Sequence, residues 1–138
     1  MILMRHGDCF PDYENDPGLS PAGWERIRGC AWRLLPYRIE LVLHSDKLRA
    51  VQTVAALRTR VSGVPAAMHR TLREIHPQAL HDPAHEDAIR AAAAFASLVD
   101  PHLGRPVLLV AHRNLLRYFC GRLGLANDFD DFAEHVLA

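Results

Sequence analysis

Apolar residues along this chain fall into short runs that alternate with longer stretches of helical spacing. Met1 to Met4, Leu41 to His44, Met68 to Leu72 and Val107 to Ala111 are compact, apolar or half-apolar runs bounded by polar and turn residues, as buried strands require. Between them the period changes. Ser20 can cap a helix with Pro21 in its first turn, and Trp24, Ile27, Cys30, Ala31, Leu34 and Leu35 give that helix one buried face ending near Pro36. A second helix carries Leu48, Val51, Val54, Ala55 and Leu57 inward and stops before Gly63-Val64-Pro65. The pattern predicts a third over Ala84 to Val99, with Ala88, Ile89, Ala92, Phe95, Ala96 and Val99 facing in, and a fourth marked by Leu115, Leu116, Phe119, Cys120 and Leu123. Strands that alternate with helices, without repeat or linker, predict one α/β domain over residues 1–138. It has three layers, with a mostly parallel central sheet covered by helices on both faces.

Composition narrows the class. The chain has 138 residues, 49% hydrophobic and 23% charged, which suits one soluble domain. Sixteen basic residues balance sixteen acidic ones, so no global field points to nucleic acid or to an anionic membrane as partner. The first strand starts at Met1 without a basic leader, and the alanine run Ala91 to Ala94 is too short for a span. A cytoplasmic location is expected. Cys9, Cys30 and Cys120 are widely spaced and include no Cys-x-x-Cys pair, which fits reduced thiols better than a disulfide framework or a zinc site.

Three of the apolar runs deliver polar groups at their carboxyl ends, where open α/β sheets place their ligands. Met1 to Met4 leads to Arg5-His6-Gly7, Leu41 to His44 leads to Ser45 and on to Arg49, and Val107 to Ala111 leads to His112-Arg113-Asn114. Parallel strands bring Arg5, His6, Ser45 and His112 to one rim, with Arg49 one helical turn away and able to point back at it. Convergence of this kind predicts a single site.

In these elements the chain resembles the histidine phosphatase superfamily, the phosphoglycerate mutase-like fold. Arg5-His6-Gly7, Leu19-Ser20-Pro21-Ala22-Gly23, Ser45-Asp46-Lys47-Leu48-Arg49-Ala50-Val51-Gln52-Thr53, Leu72-Arg73-Glu74-Ile75 and Val110-Ala111-His112 follow the family's motifs in order. The resemblance implies that His6 is the nucleophile, that Arg5, Arg49 and His112 bind the phosphoryl oxygens, and that Glu74 is the proton donor. Gly7 would let the backbone approach the anion, and Ser45 would keep Arg49 aimed from behind the site. Such a reaction needs no metal and no cofactor.

Elementary chemistry supports the same roles. Phosphoryl transfer is helped chiefly by positioning and opposing charge, and arginine donates two hydrogen bonds at once to neighbouring phosphate oxygens. His6 must be neutral to attack, whereas a charged His112 would add to the cradle. Other histidines carry weaker readings. His81 and His85, four apart, could share a helical face and hold a metal, although Pro83 makes a regular helix there doubtful, and His76 could touch substrate or stand in solvent.

Departures from the family pattern bear on substrate. Asp8-Cys9 replaces the usual Glu-Thr, no asparagine grips a bound phosphoester, and the long substrate-covering insertion of the mutases is missing. Mutase activity is disfavoured, and an open, shallow site acting on a phosphorylated small molecule or a phosphoprotein is expected. The small phosphohistidine phosphatases and the phosphoglycerate mutase-like protein phosphatases are the nearest resemblances. Arg113 could serve a second anionic group on the substrate or turn outward. The alternative function is a catalytically inactive phosphate-binding or protein-interaction module of the same fold. Asp128 to Ala138 resembles the segment that relatives place before their last strands. A sheet short of one or two strands is therefore expected, its edge exposed or covered by a partner, with homo-oligomerisation through that edge as one outcome.

Overall fold

A computed structural model describes residues 1–59 and 62–138 and shows a five-stranded sheet between two helical layers. The strands are β1 (Ile2–Arg5), β2 (Leu41–Ser45), β3 (Ala66–His69), β4 (Val107–Ala111) and β5 (His135–Leu137), in the order β3-β2-β4-β1-β5. All neighbours are parallel except β5, which runs antiparallel to β1. The helices are α1 (Pro21–Cys30), α2 (Leu48–Leu57), α3 (Glu86–Ala94) and α4 (Arg113–Leu123).

Period-two alternation divides the strand side chains between two cores. Leu3, Leu43, Leu109 and Ala111 meet Ala88, Ala91, Leu115, Leu116 and Phe119 on the α3/α4 side. Ile2, Met4, Val42, Leu108 and Val110 meet Ile27, Ala50, Val54 and Leu57 on the α1/α2 side. The central strands β1 and β4 are buried on both faces, which explains their unbroken apolar runs.

Several boundaries differ from those predicted. α1 stops at Cys30, and the stretch expected to continue it is a 3-10 segment over Ala31–Tyr37 that exposes Leu35. The third strand lies at Ala66–His69, and Arg70–Leu72 is a 3-10 turn. The third helix begins at Glu86 and passes into a π-helical turn over Phe95–Val99. That change of pitch puts Ala94, Phe95, Leu98 and Val99 inside, while Ile89 is exposed. β5 has no predicted counterpart. The Met1 ammonium group donates to the Ala138 carbonyl at 3.1 Å beside it.

The turn after β1 is closed by close backbone contact. Ser20 donates its N–H to the Asp8 carbonyl at 2.9 Å, and its hydroxyl accepts from Gly23 N at 3.1 Å to cap α1. A side chain on Gly23 would collide with that same Asp8 carbonyl, so the Leu-Ser-x-x-Gly spacing records a place where helix and loop touch.

Candidate active site

Strand register assembles the site. Arg5 pairs with Ala111, and His44 on β2 pairs with Val110, so His6, His112 and Ser45 stand at one rim. The His6 and His112 rings lie 5.2 Å apart between centroids.

The protonation state of His6 follows from its partners. Nδ1 lies 2.8 Å from the Gly7 carbonyl, which can only accept, so Nδ1 carries the proton. Arg49 donates its Nε–H to His6 Nε2 at 3.2 Å, so Nε2 presents its lone pair. Burial, with smaller contributions from Arg49 and Arg5, lowers the imidazole pKa to about 3. His6 is therefore a neutral imidazole whose free nitrogen faces a guanidinium.

The second half of the Arg-Ala-x-Gln-Thr motif holds the first motif in place. Thr53 donates its hydroxyl to the Arg49 carbonyl at 2.7 Å and accepts Gly7 N–H at 2.9 Å. Gln52 Oε1 accepts from Leu19 N at 2.7 Å. Gly7 donates its N–H to Thr53, and the space a Cβ would need is filled by Ile27 at 2.8 Å, so packing also requires a glycine here. Thr53 gave no signal of its own beyond membership of that motif.

His112 Nε2 lies 2.8 Å from Ser45 Oγ, while its Nδ1 is buried with no partner. Burial first, then the nearby His6 ring and the charges of Arg49, Lys47 and Arg5, push its pKa well below the usual imidazole range. A cation here would be desolvated beside the guanidinium groups of Arg49 and Arg5. Ser45 accepts Lys47 N–H at 3.2 Å and so ties His112 to the start of α2.

Glu74 holds the N-terminus of α4. Its carboxylate accepts from Ile75 N at 3.0 Å, Asn114 N at 3.2 Å and Leu115 N at 3.1 Å, the last two being unpaired donors of the first helical turn. Despite these bonds, burial raises its pKa above the usual carboxylate value. It sits within the field of Arg49 and Arg5. A half-buried carboxyl whose pKa is raised, beside these guanidinium groups, is equipped to donate a proton.

Arg5 is engaged from an unexpected side. Its Nη1 donates to the carbonyls of Phe129 and Asp130, both at 2.8 Å, and the Phe132 ring packs on its guanidinium at 4.1 Å. The same ring lies 5.6 Å from His6, and Ala133 N donates to the His6 carbonyl at 3.1 Å. Phe132 is a site residue that sequence patterning does not reveal. His6, Arg49 and His112 are 3%, 6% and 1% exposed, so the reacting groups are recessed below the surface. Arg113 turns to the same segment, pairing with Asp130 and donating to the Asp128 carbonyl at 3.2 Å.

His81 ends a 3-10 turn and His85 caps α3, so they share no helical face. His76 stacks on His85 at 5.6 Å and accepts from Gln78 N at 3.2 Å. Among the described residues no group of three or more His, Cys, Asp or Glu is placed to hold a metal ion, and no helix is long and apolar enough to cross a membrane.

Comparison with known proteins agrees with this geometry. The chain superposes on mycobacterial glucosyl-3-phosphoglycerate phosphatase Rv2419c in its VO3 complex with a TM-score of 0.75. That alignment has 23% identity and covers 98% of this chain and 88% of that one. Bacillus stearothermophilus YhfR gives a TM-score of 0.71 at 24% identity, over 92% and 81% of the two chains. The protein histidine phosphatase SixA, complexed with tungstate, gives 0.62 at 26% identity, over 88% and 74%. No curated protein matches in sequence. The sequence model of the histidine phosphatase superfamily (branch 1) matches residues 1–90, the stretch that carries Arg5, His6, Arg49 and Glu74. The chain belongs to the histidine phosphatase superfamily.

Proposed function

We propose that this protein is a metal-independent phosphomonoesterase that works through a phosphohistidine on His6. The observation that carries the reading is the fixed tautomer: Nδ1–H held by the Gly7 carbonyl, and the Nε2 lone pair directed at Arg49. In the first step Nε2 attacks phosphorus, the bond from phosphorus to the leaving oxygen breaks, and Glu74 gives its proton to that oxygen. Water then attacks the phosphohistidine, the Glu74 carboxylate takes the water's proton, and the P–N bond breaks to free phosphate. Arg49 exchanges its bond to Nε2 for bonds to the phosphoryl oxygens, and Arg5 supplies a second guanidinium from β1. The substrate is a phosphorylated small molecule or a phosphoprotein. Hydrolysis of an aryl phosphate that persists in excess chelator is the expected result. No hydrolysis under any condition would leave the alternative, an inactive phosphate-binding module.

Anion binding should also take up a proton. Burial beside cations holds the His112 pKa low, and a bound dianion reverses that field and raises it. Sulfate, which does not titrate in this range, should therefore bind more tightly as pH falls from about 8 to about 6. Calorimetry in buffers of different ionisation heat should report proton uptake, and thermal stability should rise with sulfate by mass action. Affinity that is flat with pH would remove His112 from the cradle.

A further inference from the structure

We propose that Arg90 is the positioning residue for Glu74: it fastens the main chain that carries the acid to α3, and through that main chain sets where the carboxyl meets the leaving oxygen. This inference rests on the phosphomonoesterase reading and adds a residue on which the proton transfer depends from outside the anion cradle.

Glu74 lies in a stretch without a ladder of its own. One 3-10 turn ends at Leu72 and the next begins at Pro77, so residues 73 and 74 belong to no helix or strand and their carbonyls need donors from elsewhere. Leu72 and Ile75 are buried and dock the stretch from both sides. Apolar contact is non-directional, however, and does not orient the two residues between them.

Arg90 supplies the direction. Its Nη1 donates to the carbonyls of Thr71 at 3.0 Å and Arg73 at 2.9 Å, and its Nη2 donates to the Glu74 carbonyl at 2.8 Å. The guanidinium is aimed in turn by Asp87, one turn back on α3, which accepts a further Nη2 bond at 3.1 Å. Asp87 also accepts the His76 N–H at 2.7 Å, and that bond first, with help from Arg90, holds its carboxyl below the usual carboxylate range. The pair thus grips the chain on both sides of the acid. A planar fork of several donors can serve three carbonyls and a carboxylate in fixed directions, which a lysine ammonium cannot do.

Two anchors then define the acid. The Glu74 main chain is tied to α3, while its carboxyl is tied to the first turn of α4 by the N–H groups of Asn114 and Leu115. α4 follows His112 directly, so those donors stand in fixed register to the rim that holds His6. A shift of the main chain at residue 74 must pull the carboxyl from them or swing it away from the leaving oxygen. The bonds Arg90 makes are to the chain and not to the groups of the anion cradle, so its loss acts on the proton transfer and not on phosphate binding.

The test compares an alkyl phosphate with an activated aryl phosphate, which departs without a proton. In Arg90→Gln, kcat on the alkyl phosphate should fall by about 10- to 100-fold, while the aryl phosphate keeps its rate within about threefold and KM is unchanged for both. Arg90→Lys keeps the charge without the fork and should show the same skew. Val99→Ala, a truncation in the core beyond α3, loses stability through packing alone, and its two rates should stay in the wild-type proportion. Hydrogen exchange reads the same placement without turnover: relative to the amides of β4, those of Asn114 and Leu115 should exchange about tenfold faster in Arg90→Gln than in Val99→Ala. A wild type that hydrolyses nothing while the exchange result holds would count against the phosphomonoesterase reading and leave Arg90 as the anchor of Glu74. Equal losses on the two substrates, an unchanged alkyl rate, a wild-type ratio in Arg90→Lys, or exchange at Asn114 and Leu115 no faster than in Val99→Ala would overturn the proposal.

Discussion

Replacing His6 by alanine is expected to abolish turnover, by on the order of 10⁶-fold, together with the covalent intermediate. The size of the effect follows from the surroundings of the nucleophile. His112 lies 5.2 Å from His6 between ring centroids, but its Nε2 is held by Ser45 and its Nδ1 is enclosed without a partner, so it is not placed to replace His6 in attack. A quench during turnover of labelled substrate should trap phosphate that is acid-labile and base-stable on His6. Because the His6 ring is buried between His112 and Phe132, alanine leaves a void and deprives Arg49 of its acceptor. His6→Asn is therefore a companion variant, retaining a polar group for Arg49 while lacking the nucleophile. Label found on His112 with His6 unmodified would exchange the two assignments, and full activity in a folded His6 variant would end the proposed mechanism.

The second large effect is expected from Glu74→Gln, and it should depend on the leaving group. An alkyl phosphate needs a proton on its departing oxygen, so loss of the acid should slow it by roughly 10²- to 10⁴-fold. An activated aryl phosphate departs as a stable phenolate and should be affected far less. The structure adds a second consequence. Oε1 and Oε2 accept three backbone N–H groups, and a glutamine would turn its own N–H₂ toward one of them. A donor facing a donor costs about 1–3 kcal/mol, so the melting temperature should fall as well. The two roles separate cleanly in the kinetics: equal losses on alkyl and aryl substrates would reduce Glu74 to a cap on α4.

Much of the fold was legible because apolar runs and helical spacing follow directly from burial. β1, β2 and β4, the capped start of α1 and the buried face of α4 could all be read that way. Where the reading slipped, another force had replaced hydrophobicity. On α2 the inward face contains Arg49 and Thr53, which serve the site, so a search for apolar residues chose Leu48 and Ala55, which are exposed. On α3 a π-helical turn shifted the stripe, and periodicity cannot register an extra residue of that kind. β5 and Phe129 sit among aspartates in a stretch without alternation, yet Phe129 is fully buried. Motif spacing brought His6, Arg5, Arg49, Ser45, Glu74 and His112 to one place. It could not show that Arg5 already binds main-chain carbonyls, that the Gly7 N–H bonds Thr53, or that the His112 pKa is lowered, since each depends on neighbours more than forty residues away or on the extent of burial.

Strand order also sets a schedule for self-assembly. β1 carries Arg5 and leads directly to His6, but its two neighbours in the sheet are β4 and β5, and the carbonyls that receive Arg5 are separated from it by 124 and 125 residues. Contacts at such sequence separation form late, because a long loop must close before they return any energy. During synthesis His6 therefore emerges long before the strands that orient it. Catalytic competence is acquired as one of the final events of folding, so recovery of activity after denaturation reports completion of the whole sheet.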